Sequence, residues 1–365
     1  MNSVDERHMQ HALTLAARGL GRTGRVPSVG CVIVAPDGRI LAAARTDESG
    51  RPHAEAAALI DAGDAARGAT AYVSLEPCAH IGHSGPPCAD ALVRAGVARV
   101  VVAMTDPDPR TNGKGIARLH DAGIDVTSDV LKTKAESLNR GFTLRVAKSR
   151  PLVTLKLAQS IDGYTARAQG ESPWITGEES RRFGQFLRAQ HDAILVGVET
   201  VIADDPELTC RVPGLEKYSP LRVVLDSKLR LPMNSKLVQT ARQIPTLVFT
   251  VREDGDALRS LGVDVLMLDP DANGHVPLMA VLKALAERDV MRLLVEGGAT
   301  VANAFYQMGF ADRIEIFTAP MSLGNTGRHG SGALTVRNLR EAPNFMRISN
   351  RSFGPDKLET FEVRS

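Results

Sequence analysis

Pro52-His53-Ala54-Glu55 heads an Ala/Leu-rich helical run over 53–66, and Leu75-Glu76-Pro77-Cys78-Ala79-His80 follows a strand-like run over 71–75. Pro86-Pro87-Cys88 then opens a second helical run, 89–95, before another apolar strand over 98–104. Strands alternating with helices predict an α/β layered domain. One imidazole and two thiols from separated segments suit a tetrahedral zinc whose fourth position stays open to water. An open-site zinc lowers the pKa of its water towards about 7, and Glu55, two residues from His53, is placed to carry a proton from that water to a leaving amine. Glu55 is thus read as a proton shuttle and His53, Cys78 and Cys88 as the ligands. Each cysteine follows a proline and Cys88 starts a helix, whose amide dipoles favour thiolates.

Taken singly, His53 reads as a helix cap and each cysteine as a small buried hydrophobe. Together, in this order on helix, strand and helix, they form the signature of zinc nucleobase deaminases. The spacing departs from that signature: nine residues, 79–87, separate the cysteines in place of two. The insertion carries His80 and His83, which are read as contacting substrate or solvent. Asp106-Pro-Asp108 resembles part of a calcium loop, but Thr111 stands where that loop requires Gly and no Glu closes it, so calcium is rejected.

Working outward, Ser3 and Glu6 form a capping box before a helix near 4–19. The run 29–35, the turn Asp37-Gly38 and the run 39–43 read as a β-hairpin. A helical stretch ends near Ala147, and Lys148-Ser-Arg-Pro151 marks a domain boundary, giving domains 1–148 and 149–365. In the second domain, strands at 193–197, 222–226, 246–250, 264–268, 292–295 and 313–317 alternate with helices at 178–190, 277–288 and 299–308. The tail after 345 reads as a closing hairpin. Thr176 and Glu179 read as a second capping box, before a helix whose Arg181, Arg182 and Arg188 form a solvated face. Asp162-Gly163 reads as an ordinary turn. Glu296-Gly297-Gly298-Ala299-Thr300 runs from a strand into a helix, an arrangement that lets backbone N–H groups approach a phosphate.

The chain has 365 residues, 43% apolar and 24% charged, which fits two folded domains and disfavours disorder. A net charge of +2 and 4% aromatic residues argue against nucleic acid, which needs basic grooves and stacking platforms. No apolar run approaches the roughly 20 residues of a membrane span. Four cysteines and an N-terminus without a secretion signal fit a reducing cytoplasm.

Over nearly the whole chain the sequence resembles the bifunctional riboflavin-biosynthesis deaminase/reductase family. The resemblance is carried by Val29-Gly-Cys-Val-Ile-Val34, Pro52-His-Ala-Glu55, Leu75-Glu-Pro-Cys-Ala-His80, Pro86-Pro-Cys88, Lys156-Leu-Ala-Gln-Ser-Ile-Asp-Gly163, Trp174-Ile-Thr176, Gly197-Val-Glu-Thr-Val-Ile-Ala-Asp-Asp-Pro206 and Glu296-Gly-Gly298. It implies a cytidine-deaminase-like α/β/α domain followed by a dihydrofolate-reductase-like α/β domain, with Zn2+ in the first and NADPH in the second. The implied chemistry is hydrolytic deamination of 2,5-diamino-6-(5-phosphoribosylamino)pyrimidin-4(3H)-one, then reduction of its ribosyl chain to ribityl, through a ring-opened imine or carbonyl. The resemblance also implies site residues. Lys156, Asp204 and Glu296 match positions near the sugar, and Ser172, Arg188, Leu208 and Arg211 match substrate positions, both arginines being suited to a phosphate. Ala158, Trp174, Thr200, Asp204, Ser227, Gly298, Ala299, Thr300, Val301 and Ala302 match cofactor positions. His80 is assigned to the substrate pocket, and a homo-oligomer, dimer or tetramer, is implied.

Departures from the family pattern lie in the first domain: Val26, Thr46, His83 and Asp108 stand where other polar residues are usual. The alternative reading is therefore an NADPH reductase whose zinc domain acts on another aminopyrimidine or is structural. A non-enzymatic zinc-stabilised binding module is a third.

Overall fold

The computed structural model describes residues 3–80, 85–166, 174–324, 328–329 and 334–364. The chain divides into two compact units, Met1–Arg150 and Pro151–Ser365.

The first unit comprises α1 (Ser3–Ala17), β1 (Gly30–Val34), β2 (Ile40–Arg45), α2 (Ala54–Ala62), β3 (Thr70–Val73), α3 (Cys88–Ala95), β4 (Arg99–Val102), α4 (Lys114–Asp121), β5 (Asp125–Thr127) and α5 (Lys132–Lys148). Its sheet runs β2-β1-β3-β4-β5, with β1 antiparallel to both neighbours and β3, β4 and β5 parallel. The β1–β2 hairpin forms where Asp37-Gly38 predicts it: Gly38 sits at φ 87° and Asp37 Oδ1 accepts the Arg39 N–H at 3.0 Å. All five β1 residues are buried because α1 packs on one face and α2 on the other. This is why Gly30-Cys-Val-Ile-Val34 is continuously apolar and not alternating.

The second unit comprises β6 (Leu152–Ser160), β7 (Tyr164–Ala166), α6 (Glu178–Ala189), β8 (Ala193–Gly197), α7 (Val198–Asp204), β9 (Leu221–Leu225), α8 (Lys236–Gln239), β10 (Thr246–Thr250), α9 (Asp256–Ser260), β11 (Asp264–Met267), α10 (Leu278–Glu287), β12 (Arg292–Glu296), α11 (Ala299–Gln307), β13 (Arg313–Ala319), β14 (Arg328–His329), α12 (Val336–Glu341), β15 (Phe345–Phe353) and β16 (Asp356–Val363). Nine strands form one sheet, ordered β11-β10-β9-β8-β12-β6-β13-β16-β15. The seven from β11 to β13 are parallel, and the C-terminal hairpin adds two antiparallel strands at one edge.

Alternation along the parallel strands divides the core into two layers. Leu195, Val223, Phe249, Leu293 and Val295 pack with α10 and α11 on one face, while Ile194, Val196, Val224, Val248 and Leu294 pack with α6 and α8 on the other. Each fully buried side chain of this kind contributes about 1.5–3 kcal/mol.

The second capping box does not form. The N-cap of α6 is Gly177, and Asp356 Oδ2, from the other end of the unit, accepts the Gly177 N–H at 2.7 Å and the Ser180 hydroxyl at 2.6 Å. A carboxylate brought in by the closing hairpin satisfies the helix terminus better than a local Thr hydroxyl.

His191, just past α6, is buried. Its Nδ1–H donates to Leu187 O at 2.7 Å and its Nε2 accepts from Thr154 Oγ1 at 3.0 Å. Burial, helped by the nearby Arg292 charge, pushes its pKa down to about 3. The unfolded chain therefore binds this proton first, below about 6.5, and stability is lost as pH falls from there toward 3, by up to about 1.4 kcal/mol per pH unit. Urea unfolding followed by the fluorescence of Trp174 should show this acid slope in the wild type and a shallower one in His191→Gln. Equal slopes would remove His191 as its source.

Candidate metal centre and cofactor crevice

In the first unit, three candidate ligands converge from three segments. His53 occupies the N-cap position of α2, but its side chain makes no capping bond; instead Nδ1 lies 3.7 Å from Cys78 Sγ and 3.3 Å from Cys88 Sγ. All three candidate ligand atoms fall within 4.8 Å of one another, and no other such cluster occurs among the described residues. A tetrahedral zinc with ordinary bond lengths separates its N and S ligands by about 3.6 Å and its two S ligands by about 3.8 Å, so this donor set fits the ion in chemistry and in span. The Cys88 N–H, at the start of α3, donates to Cys78 Sγ at 3.3 Å. Hydrogen bonds from Cys88 and His53 hold the Cys78 thiol down to about 4, although its burial opposes this. These contacts favour the thiolate form, the one that binds a metal.

Glu55, in the first turn of α2, is 3% exposed and lies outside the ligand cluster. Burial raises its carboxyl to about 7 against the opposing pull of His53. A carboxyl with that pKa, hydrogen-bonded to Cys88, can hold or release a proton near neutrality. His80 is not in the cluster: its Nδ1 lies 3.2 Å from Thr111 Oγ1, on the loop leading to α4. His83 lies outside the described residues.

The family departures have local partners. Thr46 Oγ1 accepts the Val29 N–H at 2.9 Å, Val26 O accepts from Thr23 Oγ1 at 2.8 Å, and Asp108 is paired with Arg110 through Nε and Nη2. Asp106 is buried, and burial pushes its carboxyl up to about 7; its Oδ1 accepts the Asp108 N–H, an internal turn and not a cation loop. Glu76 stands in the Leu75–His80 motif with no role of its own in the sequence reading, yet its carboxylate accepts four backbone N–H groups from the segment 106–116, which runs into the first turn of α4.

In the second unit Lys156 and Ala158 lie on β6, Thr200 and Asp204 on α7 directly after β8, and residues 296–302 at the end of β12 and the start of α11. Because β12 lies between β8 and β6, with Glu296 in register with Lys156, the α7 and α11 starts sit side by side. This is where a doubly wound sheet leaves a crevice for a ligand. Gly297 and Gly298, at φ 69° and 64°, form the turn into α11; a Cβ on Gly297 would lie 2.9 Å from Thr200 Cγ2. Only glycine combines that backbone with that approach. The turn is exposed, as is Thr300, so the first amides of α11 are open to an anionic group, which fits a nucleotide cofactor. Ala158 lies on β6, and Asp204 ends α7. Val301 packs toward Gly197, and Ala302 is buried in the core. Ser227, beyond β9, accepts the Val276 N–H at 3.1 Å.

Trp174, the single tryptophan, is 56% exposed and stacks under the Arg181 guanidinium, 5.1 Å from its ring centre, so it presents a face and is not core. Ser172 lies outside the described residues. Leu208 is buried at φ 55°, and Arg211 is exposed beside Glu207 at 3.2 Å.

Arg188 departs from the expected solvated face. Its side chain is only 12% exposed, its Nε and Nη2 donate to the two Glu296 oxygens at 2.9 Å each, and its Nη1 donates to Thr209 O at 2.9 Å. Burial would raise the Glu296 carboxyl, but Arg188 and then Lys156 outweigh it and hold it at about 2. The guanidinium fork is thus engaged with a carboxylate in this structure. Asp162 is likewise more than a turn residue: it accepts from Ser160, from Ser322 and from the Leu323 and Gly324 N–H groups, joining the loops after β6 and β13.

A layered α/β unit with a His/Cys/Cys cluster beside a buried glutamate, followed by a parallel-sheet unit with an exposed glycine turn opening a helix at its strand ends, defines a metal-dependent deaminase-type domain joined to a nucleotide-dependent reductase-type domain. Residues 2–104 match the cytidine and deoxycytidylate deaminase zinc-binding region, and residues 151–354 match the RibD C-terminal domain. The riboflavin biosynthesis protein RibD of Aquifex aeolicus is 41% identical over 364 residues, covering 99% of each chain. That of Escherichia coli is also 41% identical, covering 96% of this chain and 97% of its own. Among solved structures, RibD of Acinetobacter baumannii superposes with a TM-score of 0.86 at 38% identity, and the deaminase/reductase of Thermotoga maritima with 0.86 at 33%, each covering 99% of both chains. The chain belongs to the RibD family of riboflavin biosynthesis proteins.

Proposed function

We propose that this chain is a bifunctional enzyme of riboflavin biosynthesis, using Zn2+ to deaminate a phosphoribosylated diaminopyrimidine and NADPH to reduce its ribosyl chain. The observation that carries the reading is the convergence of His53, Cys78 and Cys88 beside buried Glu55, in a chain that matches two-domain relatives from end to end. The reductase-only alternative is not favoured, because the match includes the zinc-binding region itself. We assign deamination to residues 1–148 and reduction to 149–365.

Zinc, when bound, supplies a Lewis acid that makes water nucleophilic at neutral pH. Glu55 takes a proton from the attacking water and delivers it to the nitrogen that leaves as ammonia, the role its raised pKa suits. His80 and the neighbouring loop contact the pyrimidine. In the second unit NADPH supplies the hydride. Trp174, Thr200, Asp204, Ser227, Ala158 and residues 298–302 would hold the cofactor. Lys156 and Glu296 face the sugar from adjacent strands, while Arg188 fixes the Glu296 carboxylate. Ser172, Leu208 and Arg211 complete the substrate side.

No helix among the described residues is long and apolar enough to cross a membrane. All four cysteines are unpaired, which supports a reducing, cytoplasmic setting. A homo-oligomer, dimer or tetramer, is supported by the edge strand β15, which exposes Met346 and Ile348. Incubation of the zinc-loaded protein with the diaminopyrimidine substrate and NADPH tests the main reading. Ammonia release and NADPH oxidation are both expected; absence of ammonia from zinc-replete protein would remove the first activity.

A further inference from the structure

We propose that Glu76 is a positioning residue of the metal centre, clamping the segment that bears Cys78 onto the first turn of α4. The inference rests on the reading of His53, Cys78 and Cys88 as zinc ligands. Two of those ligands are placed by helices, His53 at the head of α2 and Cys88 at the head of α3. Cys78 lies in the irregular segment between β3 and α3, with no helix of its own.

Glu76, two residues before Cys78, is 2% exposed. One carboxylate oxygen accepts the N–H groups of Asp106 at 3.0 Å and Gly113 at 2.9 Å, and the other accepts those of Gly115 at 2.9 Å and Ile116 at 3.1 Å. Four donors 30 to 40 residues away in sequence, two from the loop before α4 and two from its first turn, therefore meet on one side chain. Gly115 and Ile116 lie in the first turn of α4, whose unpaired amides favour a negative charge.

The contact is tight on the backbone side as well. A Cβ on Gly115 would lie 2.1 Å from the Pro77 carbonyl oxygen, so the ligand segment rests directly on the helix start. Cys78 is thus held from two directions: the Cys88 amide meets its sulfur, and Glu76 with Gly115 fixes its backbone.

Gln at position 76 has nearly the same shape but only one acceptor oxygen, and its NH2 would face two N–H donors. Ala at position 115 keeps the carboxylate and instead pushes on the Pro77 carbonyl. The test uses the full chain as wild type, Glu76→Gln and Gly115→Ala. It measures zinc release to a chromogenic chelator and the visible spectrum of the Co(II)-loaded protein, with reduction of the already deaminated intermediate as a control for the second unit. Both variants are expected to release zinc about tenfold or more faster, the scale seen when support around a metal ligand is lost. Their cobalt bands should shift, with reduction unchanged. If the wild type holds neither metal, the ligand reading fails and takes this inference with it. If the wild type holds both, a soluble variant with wild-type release rate and cobalt spectrum overturns the positioning role alone. Should Glu76→Gln fail to fold, Gly115→Ala decides.

Discussion

Glu55→Ala is expected to lower ammonia release by about a hundred- to ten-thousand-fold, the range of a general acid–base contribution, while reduction of the deaminated intermediate proceeds at the wild-type rate. The size follows from the environment. Glu55 is buried, its carboxyl is raised to about 7, and it is the buried acid that lies against the ligand set through Cys88. Zinc content should stay at the wild-type level, because Glu55 is not part of the ligand cluster. Metal analysis and the two separate assays on one preparation therefore distinguish a lost proton carrier from a lost ion. Ammonia release at the wild-type rate in this variant would dismiss Glu55 from the reaction.

Arg188→Ala is expected to destabilise the second unit by about 3–5 kcal/mol, because it leaves the Glu296 carboxylate buried without its paired charge. Both side chains are about one-tenth exposed, 12% and 10%, so solvent does little to screen the loss. For a unit of this size the midpoint of thermal unfolding should fall by roughly 6–20 °C. The pH dependence carries the sign of the cause. In the wild type Glu296 has its pKa held at about 2, below the ordinary 4.5, so its stabilising pairing is present above 4.5 and lost only as pH falls toward 2. Without Arg188 the largest opposing charge is gone and Lys156 is the main charge left to counter burial, so the carboxyl rises from about 2 and protonation relieves the variant. The stability gap between variant and wild type should narrow on acidification from pH 7 toward 5. A gap that stays constant across that range would show that lost packing, not an orphaned charge, is responsible. Arg188→Lys should recover only part of the loss, since a point charge cannot occupy both carboxylate oxygens and the Thr209 carbonyl together.

Most elements were legible because their signals are local. The Asp37-Gly38 turn, the helix opening at Cys88, the parallel strands at 193–197 and 246–250 and the closing hairpin appear where turn residues and apolar periodicity placed them. The His53, Cys78 and Cys88 cluster was legible for a different reason: imidazole and thiol side chains are scarce, so their joint occurrence carries information that a serine or an aspartate does not. The N-terminus of α6 was misread because two routes to satisfying the same amides compete, and sequence shows only the nearer. Thr176 and Glu179 have the right spacing, but Asp356 brings a full charge to the Gly177 N–H.

Arg188 and Glu76 show the same limit more sharply. A charged residue on a polar-looking helix reads as solvated until a carboxylate 108 positions away is found opposite it. A glutamate in a Glu-Pro-Cys motif reads as ordinary until four amides from the start of α4 and the loop before it close on it.

The sequence alone determined two α/β domains, the His/Cys/Cys set that comes together in the first and the glycine turn ahead of α11 in the second, because each depends on residue chemistry and short-range geometry. Tertiary structure decided which charges are buried, which pairs neutralise them and which backbone each one fixes. Those outcomes depend on which strands lie side by side, and strand order is set by packing across the whole sheet.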